Sequence, residues 1–111
     1  MLFRSILKKM RSIPNHKIYV AVLDSKVIGS ATIFIEPKFI HSGGTVAHIE
    51  DVVVRKEYQG SGIGQKLVEG LLEYAKKNGC YKTILDAVDD VMPFYENLGF
   101  KRHSNSMRFD H

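Results

Sequence analysis

Three closely spaced glycines form the most chemically specific feature of the sequence, in the run Gln59-Gly60-Ser61-Gly62-Ile63-Gly64. The run separates an apolar segment from an amphipathic one, so the pattern predicts a loop that joins a strand to a helix. The first amide groups of a helix lack partners within the helix, and the helix dipole places partial positive charge at the same end. Glycine permits positive φ and a close approach of the backbone to a ligand. We therefore expect a phosphate or pyrophosphate to bind here.

Spacing distinguishes three kinds of phosphate-binding loop. A P-loop requires Gly-Lys-Ser/Thr at the helix start, whereas this chain has Gly64-Gln65-Lys66-Leu67, so that class is excluded. A dinucleotide fingerprint requires a third glycine where Gln65 stands, although Asp86 lies about 20 residues further on, as that fingerprint asks. The chain is short for the double-wound sheet of that class, which argues against it. The pattern Q/R-x-x-G-x-G/A is met by residues 59–64.

This last pattern resembles the coenzyme A pyrophosphate loop of the GNAT acetyltransferase superfamily. Further motifs follow in one order, and together they resemble the glucosamine 6-phosphate N-acetyltransferases of that superfamily over roughly residues 19–107. The matching stretches are His48-Ile49-Glu50-Asp51-Val52-Val53-Val54, Gly79-Cys80-Tyr81-Lys82, Ile84-Leu85-Asp86 and Phe94-Tyr95-Glu96. The family's first strand and the start of its first helices have no counterpart, so we expect a trimmed or truncated version of the fold.

The resemblance implies an enzyme that moves an acetyl group from acetyl-CoA to the amine of glucosamine 6-phosphate by direct attack, on the route to UDP-GlcNAc. The cofactor would be bound by Val52, Val53, Val54, Gln59, Gly60, Ser61, Gly62, Ile63, Gly64, Gln65, Tyr95, Glu96 and Asn97. The acceptor would be bound by Lys38, Phe39, Ile40, His41, Glu50, Asp51, Tyr81, Lys82 and Asp86. Tyr81 and Lys82 would come from the partner subunit of a homodimer.

Glu50, Asp51, Asp86 and Tyr95 are the candidate catalytic residues. Transfer of an acetyl group to an amine requires that the amine is unprotonated and approaches the carbonyl carbon in a fixed orientation. It also requires stabilisation of the negative charge that develops on the carbonyl oxygen. Neighbouring residues of a strand point to opposite faces, so Glu50 and Asp51 can share a site only where the strand is bulged or splayed. A phenol with a pKa near ~10 suits protonation of a leaving thiolate, which is the role expected of Tyr95. Solvated acids and a packed helix tyrosine are the simpler interpretations of the same residues.

Composition narrows the class of protein. The 111 residues suffice for one domain, expected over residues 1–111, and the longest apolar runs fall far short of a membrane span. The net charge of +4 is scattered and has no interleaved aromatic pattern, so we expect no nucleic-acid partner. The histidines show no metal-ligand spacing, which predicts no metal site. A single cysteine, Cys80, fits a reducing cytoplasm.

The basic segment 1–13 has two interpretations. It contains no acid and resembles a mitochondrial targeting helix. However, Phe3, Ile6, Leu7 and Met10 form the stripe of a helix that packs on a core, and Pro14 would end that helix. We therefore expect a structural helix and a cytoplasmic protein.

The elements that must position these residues follow from periodicity and breakers. We predict an α/β fold with a GNAT-like mixed, mostly antiparallel central sheet flanked by helices, lacking or trimming the first strand. The predicted strands are 17–23, 27–35, 46–54 and 82–86, with a hairpin turn at 24–26 and a loop at 37–44. The predicted helices are 64–78 and 90–98, the latter capped by Asp90. One or two further strands are expected from Phe100 onward.

Two departures from the family pattern leave alternatives open. Val91 stands where the family has an asparagine, and Pro93 is expected to interrupt the same helix start. Asp110 stands where the family has a phosphate-binding arginine, with Arg108 two residues earlier. The acceptor could therefore be another amine, such as a protein lysine or a polyamine. A non-catalytic module that binds acyl-CoA is the alternative from a different class.

Overall fold

The protein folds as one four-stranded sheet with helices packed against it. The computed structural model describes residues 2–111, with side chains described from Ser5 onward. The elements are α1 (Leu2–Arg11), β1 (His16–Leu23), β2 (Lys26–Pro37), α2 (Ile40–Gly43), β3 (Thr45–Val54), a 3-10 turn (Lys56–Tyr58), α3 (Ile63–Lys77), β4 (Cys80–Ile84), a 3-10 turn (Asp89–Val91) and α4 (Met92–Asn97). The strand order is β1-β2-β3-β4. The first two pairs are antiparallel and the third is parallel, so the predicted mixed, mostly antiparallel sheet is confirmed.

The first two strands form a tight hairpin. Asp24 and Ser25 connect them, with φ angles of 49° and 65°. Leu23 pairs directly with Lys26, so the loop contains only these two residues. Two consecutive positive φ angles are the geometry of the hairpin turn that matches strand twist. The predicted hairpin is confirmed, but Lys26 lies in β2 rather than in the turn.

Helix α3 covers one face of the sheet and creates the core. Its buried residues are Leu67, Val68, Leu71 and Ala75. They pack against sheet residues that include Ile33 and Ile49, and the side chains of Ile33 and Leu71 are completely buried. Burying an aliphatic side chain of this size contributes about 1.5–3 kcal/mol. The start of α3, where the glycine loop ends, is therefore anchored to the most stable part of the molecule.

Helix α1 packs near the start of β1. Leu7 and Met10 are half-buried, whereas Ile6 is 49% exposed. The fourth member of the predicted stripe, Phe3, lies outside the described side chains. The imidazole of His16 lies 3.3 Å from the carbonyl oxygen of Met10 and links the end of α1 to β1. The helix ends at Arg11, before the proline predicted to stop it.

The second half of the chain differs from prediction at two places in the sheet. Strand β4 covers Cys80–Ile84 rather than 82–86, because Gly79 ends α3 with a φ of 73° and Cys80 enters the sheet at once, opposite Thr45. The strands expected from Phe100 onward are wrong: residues 101–111 are exposed and have no regular secondary structure. The run 101–106 is entirely polar, so it has no apolar side to place against a core.

The predicted helix 90–98 is also corrected. It divides into the 3-10 turn Asp89–Val91 and α4, and Val91 occupies the N-cap position without a side-chain hydrogen bond. Asp90 is therefore not the cap. Pro93 lies in the first turn of α4, where a missing amide hydrogen breaks no helical bond, so it does not interrupt the helix.

The segment 37–44 was predicted as a loop and contains the single helical turn α2. Within α2, His41 and Ser42 have left-handed backbone angles, with φ of 51° and 55°. The turn is thus irregular, which explains why the sequence lacks a helical period there.

Candidate active site

The glycine loop adopts left-handed backbone angles at two of its three glycines. Gly60 has a φ of 83° and Gly62, the N-cap of α3, a φ of 88°. Gly64 is the second residue of α3 and is not among the residues with positive φ. A Cβ at Gly60 or Gly62 would meet nothing within 4 Å. The requirement for glycine at these two positions is therefore conformational rather than steric.

The start of α3 carries free hydrogen-bond donors. Within residues 2–111, the backbone amides of residues 62–65 donate no hydrogen bond, and the first amide that bonds is that of Lys66, to the carbonyl oxygen of Gly62 at 3.1 Å. No acidic side chain lies in the first turn to neutralise the helix dipole. The loop therefore presents several donors and partial positive charge to an anion.

Side chains of the loop fix its shape. The amide nitrogen of Gln59 donates to the carbonyl oxygen of Val54 at 3.0 Å, and the hydroxyl of Ser61 donates to the carbonyl oxygen of Tyr58. Both bonds tie the loop to the end of β3 and to the 3-10 turn before it. Gln59 thus holds the loop closed.

A β-bulge places the two candidate acids. Ser30 pairs with Val53 and Thr32 with Glu50, so Asp51 and Val52 together oppose one residue of β2. Asp51 has a left-handed φ of 52°. The bulge interrupts the alternation of side chains, which is the condition under which Glu50 and Asp51 were predicted to share a site. Both carboxylates are exposed.

The sheet opens immediately beyond the bulge. Strand β4 pairs with β3 only as far as His48, opposite Ile84. In the described chain, the β3 edge from Ile49 to Val54 faces no other strand on that side. Apart from the carbonyl oxygen of Val54, which accepts from Gln59, the main-chain polar groups on this edge are available to an extended ligand.

Tyr95 lies in α4 between two aromatic rings. Its ring makes edge contacts with Phe94 and Phe100, at centroid distances of 5.0 and 5.7 Å. Burial raises the pKa of the Tyr95 phenol above its ordinary value of 10.0. No hydrogen bond engages its hydroxyl within residues 2–111, so a protonated donor is available over the neutral range. Glu96 and Asn97, which follow it, are exposed.

A groove of about 620 Å³ runs between β4, α4 and the irregular C-terminal segment 101–111, here called the tail. It brings together Asp86, Tyr95 and Glu96 and is otherwise lined by Met92, by the rest of segment 83–89 and by residues 100–106. The glycine loop and the two acids of β3 do not line it. The carboxylate of Asp86 accepts a hydrogen bond from Ser106 at 2.6 Å, so this acid holds the tail against the groove.

Two charged residues near the end of the tail pair with each other. Arg108 and Asp110 form an ion pair of 2.7 Å, and both side chains are largely exposed. Position 110 is where the family has a phosphate-binding arginine, and Arg108 lies two residues before it. Arg108 is already paired with Asp110, the residue that replaces the family's arginine.

The segment before α2 is organised by an interaction that the sequence did not predict. One carboxylate oxygen of Glu36 accepts from His48 at 2.9 Å and from Lys38 at 3.1 Å. The hydrogen bond from His48, followed by that from Lys38, lowers the pKa of Glu36 below its ordinary value. Glu36 and His48 lie diagonally on neighbouring strands, so only the register of β2 against β3 could have revealed the pair.

The remaining predicted acceptor residues lie on α2 and β4. Phe39 and Ile40 are exposed, and the ring of His41 stacks on Tyr81 with centroids 4.1 Å apart. The ammonium of Lys82, which is half-buried, lies 5.7 Å from the Tyr81 ring centroid. The predicted site residues thus occupy three separate regions: the loop with the end of β3, the tail groove, and the contact between α2 and β4, which lies at the opposite end of β3 from the loop.

The described residues contain no group of three or more histidine, cysteine or acidic side chains arranged to hold a metal ion. None of their helices has the length and apolar character needed to cross a membrane.

Known proteins share this sequence and fold. The sequence matches the acetyltransferase (GNAT) family over residues 2–100. The glucosamine 6-phosphate N-acetyltransferase of Trypanosoma brucei brucei is 45% identical over 94 residues, which cover 85% of this chain and 64% of that protein. A probable glucosamine 6-phosphate N-acetyltransferase 2 of Oryza sativa subsp. japonica is 41% identical over 80 residues, or 72% of this chain and 48% of that protein.

A solved structure has the same fold. The crystal structure of glucosamine-6-phosphate N-acetyltransferase from Arabidopsis thaliana superposes with a TM-score of 0.92 at 35% sequence identity, covering 97% of this chain and 76% of that one. The chain spans about half to two-thirds of the lengths of the two curated relatives. With the match over residues 2–100, these similarities establish that the chain belongs to the GNAT acetyltransferase family.

Proposed function

We propose that the protein transfers the acetyl group of acetyl-CoA to the amine of glucosamine 6-phosphate. The observation that carries the proposal is the glycine loop: two left-handed glycines and an unpaired run of amides at the start of a buried helix, directly after a bulged strand with two acids. The relatives named for this reaction are 41–45% identical over most of this chain, which supports the choice of acceptor.

Acetyl-CoA would bind along the opening between β3 and β4. The amides of residues 60–65 would hold its pyrophosphate, because they combine free donors with the positive end of the α3 dipole. The free edge of Val52, Val53 and Val54 would bind the pantetheine arm through main-chain groups. Tyr95, Glu96 and Asn97 would contact the cofactor from α4. When bound, acetyl-CoA supplies the activated acyl group.

The side chains would bind the charged amine and transfer protons. Glu50 and Asp51, exposed at the bulge, would bind the sugar ammonium and take up its proton through solvent. The amine nitrogen would bond to the carbonyl carbon and lose its second proton to solvent as the carbon–sulfur bond breaks. The hydroxyl of Tyr95, whose proton is retained because its pKa is raised, would protonate the leaving sulfur. Asp86 would help to place the sugar.

We infer that two copies complete the acceptor site. Phe39 is fully exposed and Ile40 is 59% exposed, beside the half-exposed Tyr81. Exposed apolar residues of this size favour a protein contact, and a homodimer would let Tyr81 and Lys82 serve the partner's acceptor site. The single thiol, Cys80, is free, which suits a reducing compartment such as the cytoplasm.

A different amine is the second candidate, and one observation favours it. Arg108 is paired with Asp110, so no free arginine stands ready for a phosphate in this part of the described tail. Protein lysines and polyamines lack that phosphate, and their acetylation would not require such a residue.

Purified protein offered acetyl-CoA with each amine separates these functions. We expect release of coenzyme A with glucosamine 6-phosphate and much less with glucosamine, spermidine or a lysine peptide. Turnover confined to spermidine or the peptide would overturn the sugar-phosphate assignment. Calorimetric binding of acetyl-CoA without turnover of any amine would instead indicate a non-catalytic binding module.

A further inference from the structure

The ring of Tyr81 is packed between two residues of the preceding loop. The ring of His41 covers it at 4.1 Å, with an angle of 35° between the planes. Gly44 lies beside the same ring, so close that a Cβ added to it would be 2.8 Å from Cδ1 of Tyr81. Tyr81 therefore has a defined orientation although 36% of its surface is exposed. We call Gly44, His41 and Tyr81 the tyrosine clamp.

Glycine is required at position 44 by the ring and not by the backbone. Gly44 has a φ of −64° and a ψ of 162°, angles open to any residue. A Cβ there would lie 2.8 Å from Cδ1 and 3.0 Å from Cε1 of Tyr81, and 3.2 Å from the Cβ of His41. Contacts this short force a movement, and here the neighbours are a packed ring and the first carbon of a side chain. The adjacent Gly43 is the opposite case: its φ is 80° and nothing lies within 4 Å of its Cβ position.

The loop backbone holds the clamp closed. His41 and Ser42 have left-handed angles, which are unfavourable for these residues and persist only where the surroundings enforce them. Two main-chain bonds enforce them here: the amide of Lys38 donates to the carbonyl oxygen of Gly44 at 2.8 Å, and the amide of Gly44 donates to that of Ile40 at 3.2 Å. Both bonds close the segment that carries His41.

We propose that Gly44 and His41 are positioning residues for the acceptor, because they fix the ring of Tyr81, which would contact the sugar phosphate in the acceptor site of the partner subunit. The proposal rests on the proposed function. It predicts that a methyl group at position 44 alters acceptor binding while leaving the cofactor loop, on α3, undisturbed. No contact between Gly44 and the substrate is needed for this effect.

The test compares Gly44→Ala with Gly70→Ala. Gly70 lies in α3, and a Cβ there would meet the ring of another tyrosine, Tyr19, at 3.3 Å. We expect Gly44→Ala to raise KM for glucosamine 6-phosphate by about tenfold and to change KM for acetyl-CoA by less than about twofold, with Gly70→Ala altering neither. In a Tyr81→Ala background, Gly44→Ala should have no further effect, because the clash is removed.

NMR tests the clamp independently of turnover. Stacking on Tyr81 gives the His41 imidazole protons a ring-current shift, which Gly44→Ala should reduce and Gly70→Ala should preserve. An unchanged His41 shift, or an additive effect of Gly44→Ala in the Tyr81→Ala background, would overturn the clamp. So would equal rises in both KM values with a lowered Tm, since they indicate a general defect. Wild-type protein without turnover of glucosamine 6-phosphate would refute the proposed function, and the NMR result would still decide the packing.

Discussion

The cofactor side and the acceptor side of the candidate site are built in different ways. The cofactor side is the end of β3, the glycine loop and α3, whose buried face holds the core. Its proposed contacts are main-chain amides, positioned by left-handed glycines and by the hydrogen bond of Gln59. The acceptor side consists of residues 38–44, Tyr81 to Asp86 and the exposed tail.

The acceptor side depends on individual side-chain contacts. Lys38 is bound by Glu36, Tyr81 is stacked on His41, and Asp86 holds Ser106. Each of these contacts lies at or near the surface, where a single substitution can change it. Under the proposed function, cofactor binding would depend on backbone geometry, whereas acceptor choice would depend on a few replaceable side chains.

The largest expected effect is on kcat and comes from Tyr95. Tyr95→Phe removes the proposed proton donor, so we expect kcat to fall by about 10²-fold or more while the Kd of acetyl-CoA is retained. Because burial raises the pKa of Tyr95, this group should not limit the wild-type rate between neutral pH and pH about 10. Phe94→Leu, a neighbouring aromatic change, is the control. An unchanged kcat in Tyr95→Phe would remove the tyrosine from the chemistry.

A substitution in the loop should break the cofactor side alone. Gly62→Ala forces an L-residue to a φ of 88°, at a cost of about 1–2 kcal/mol, or reshapes the loop. We expect the Kd of acetyl-CoA, measured by calorimetry, to rise by about tenfold. Gly79→Ala imposes similar strain, at a φ of 73°, at the other end of α3 and should leave this Kd unchanged. Equal effects of the two variants on binding would contradict the assignment of the loop.

A substitution in the tail tests whether the acceptor side recognises phosphate. Asp110→Arg releases Arg108 from its ion pair and adds a second cation near the predicted phosphate position. Because both positions are exposed, we expect only about a two- to fivefold fall in KM for glucosamine 6-phosphate. KM for glucosamine, which lacks the phosphate, serves as the control. A matching fall for glucosamine would show that the tail does not recognise phosphate.

The smallest expected effect is on stability and comes from Glu36, which binds Lys38 and His48 next to the acceptor side. The folded state lowers the pKa of Glu36, so its stabilising contribution is present above the ordinary value of 4.5 and is lost as pH falls through the lowered pKa. We expect Glu36→Gln to lose less stability than wild type when denaturation is measured between pH about 6 and about 3. Glu73→Gln, on the exposed surface of α3, should keep the wild-type pH dependence. Parallel curves for Glu36→Gln and wild type would contradict this.

Local patterns predicted much of the fold. The hairpin at Asp24 and Ser25, the strand ending at Val54 and the buried stripe of α3 follow from turn chemistry and periodicity, which act over a few residues. The glycine spacing predicted the loop, and its family resemblance agrees with the match over residues 2–100. The expected final strands were wrong because a polar run carries no apolar side that could place it in a sheet.

The sequence by itself determined the family, the loop and the need for a distortion between Glu50 and Asp51, since each depends on residue types within a short span. Only the tertiary structure placed the bulge at Asp51, paired Glu36 with His48, and set Tyr81 against Gly44. These features depend on strand register and on contacts between residues distant in the chain. A shift of one residue in register would alter all of them without changing a local pattern.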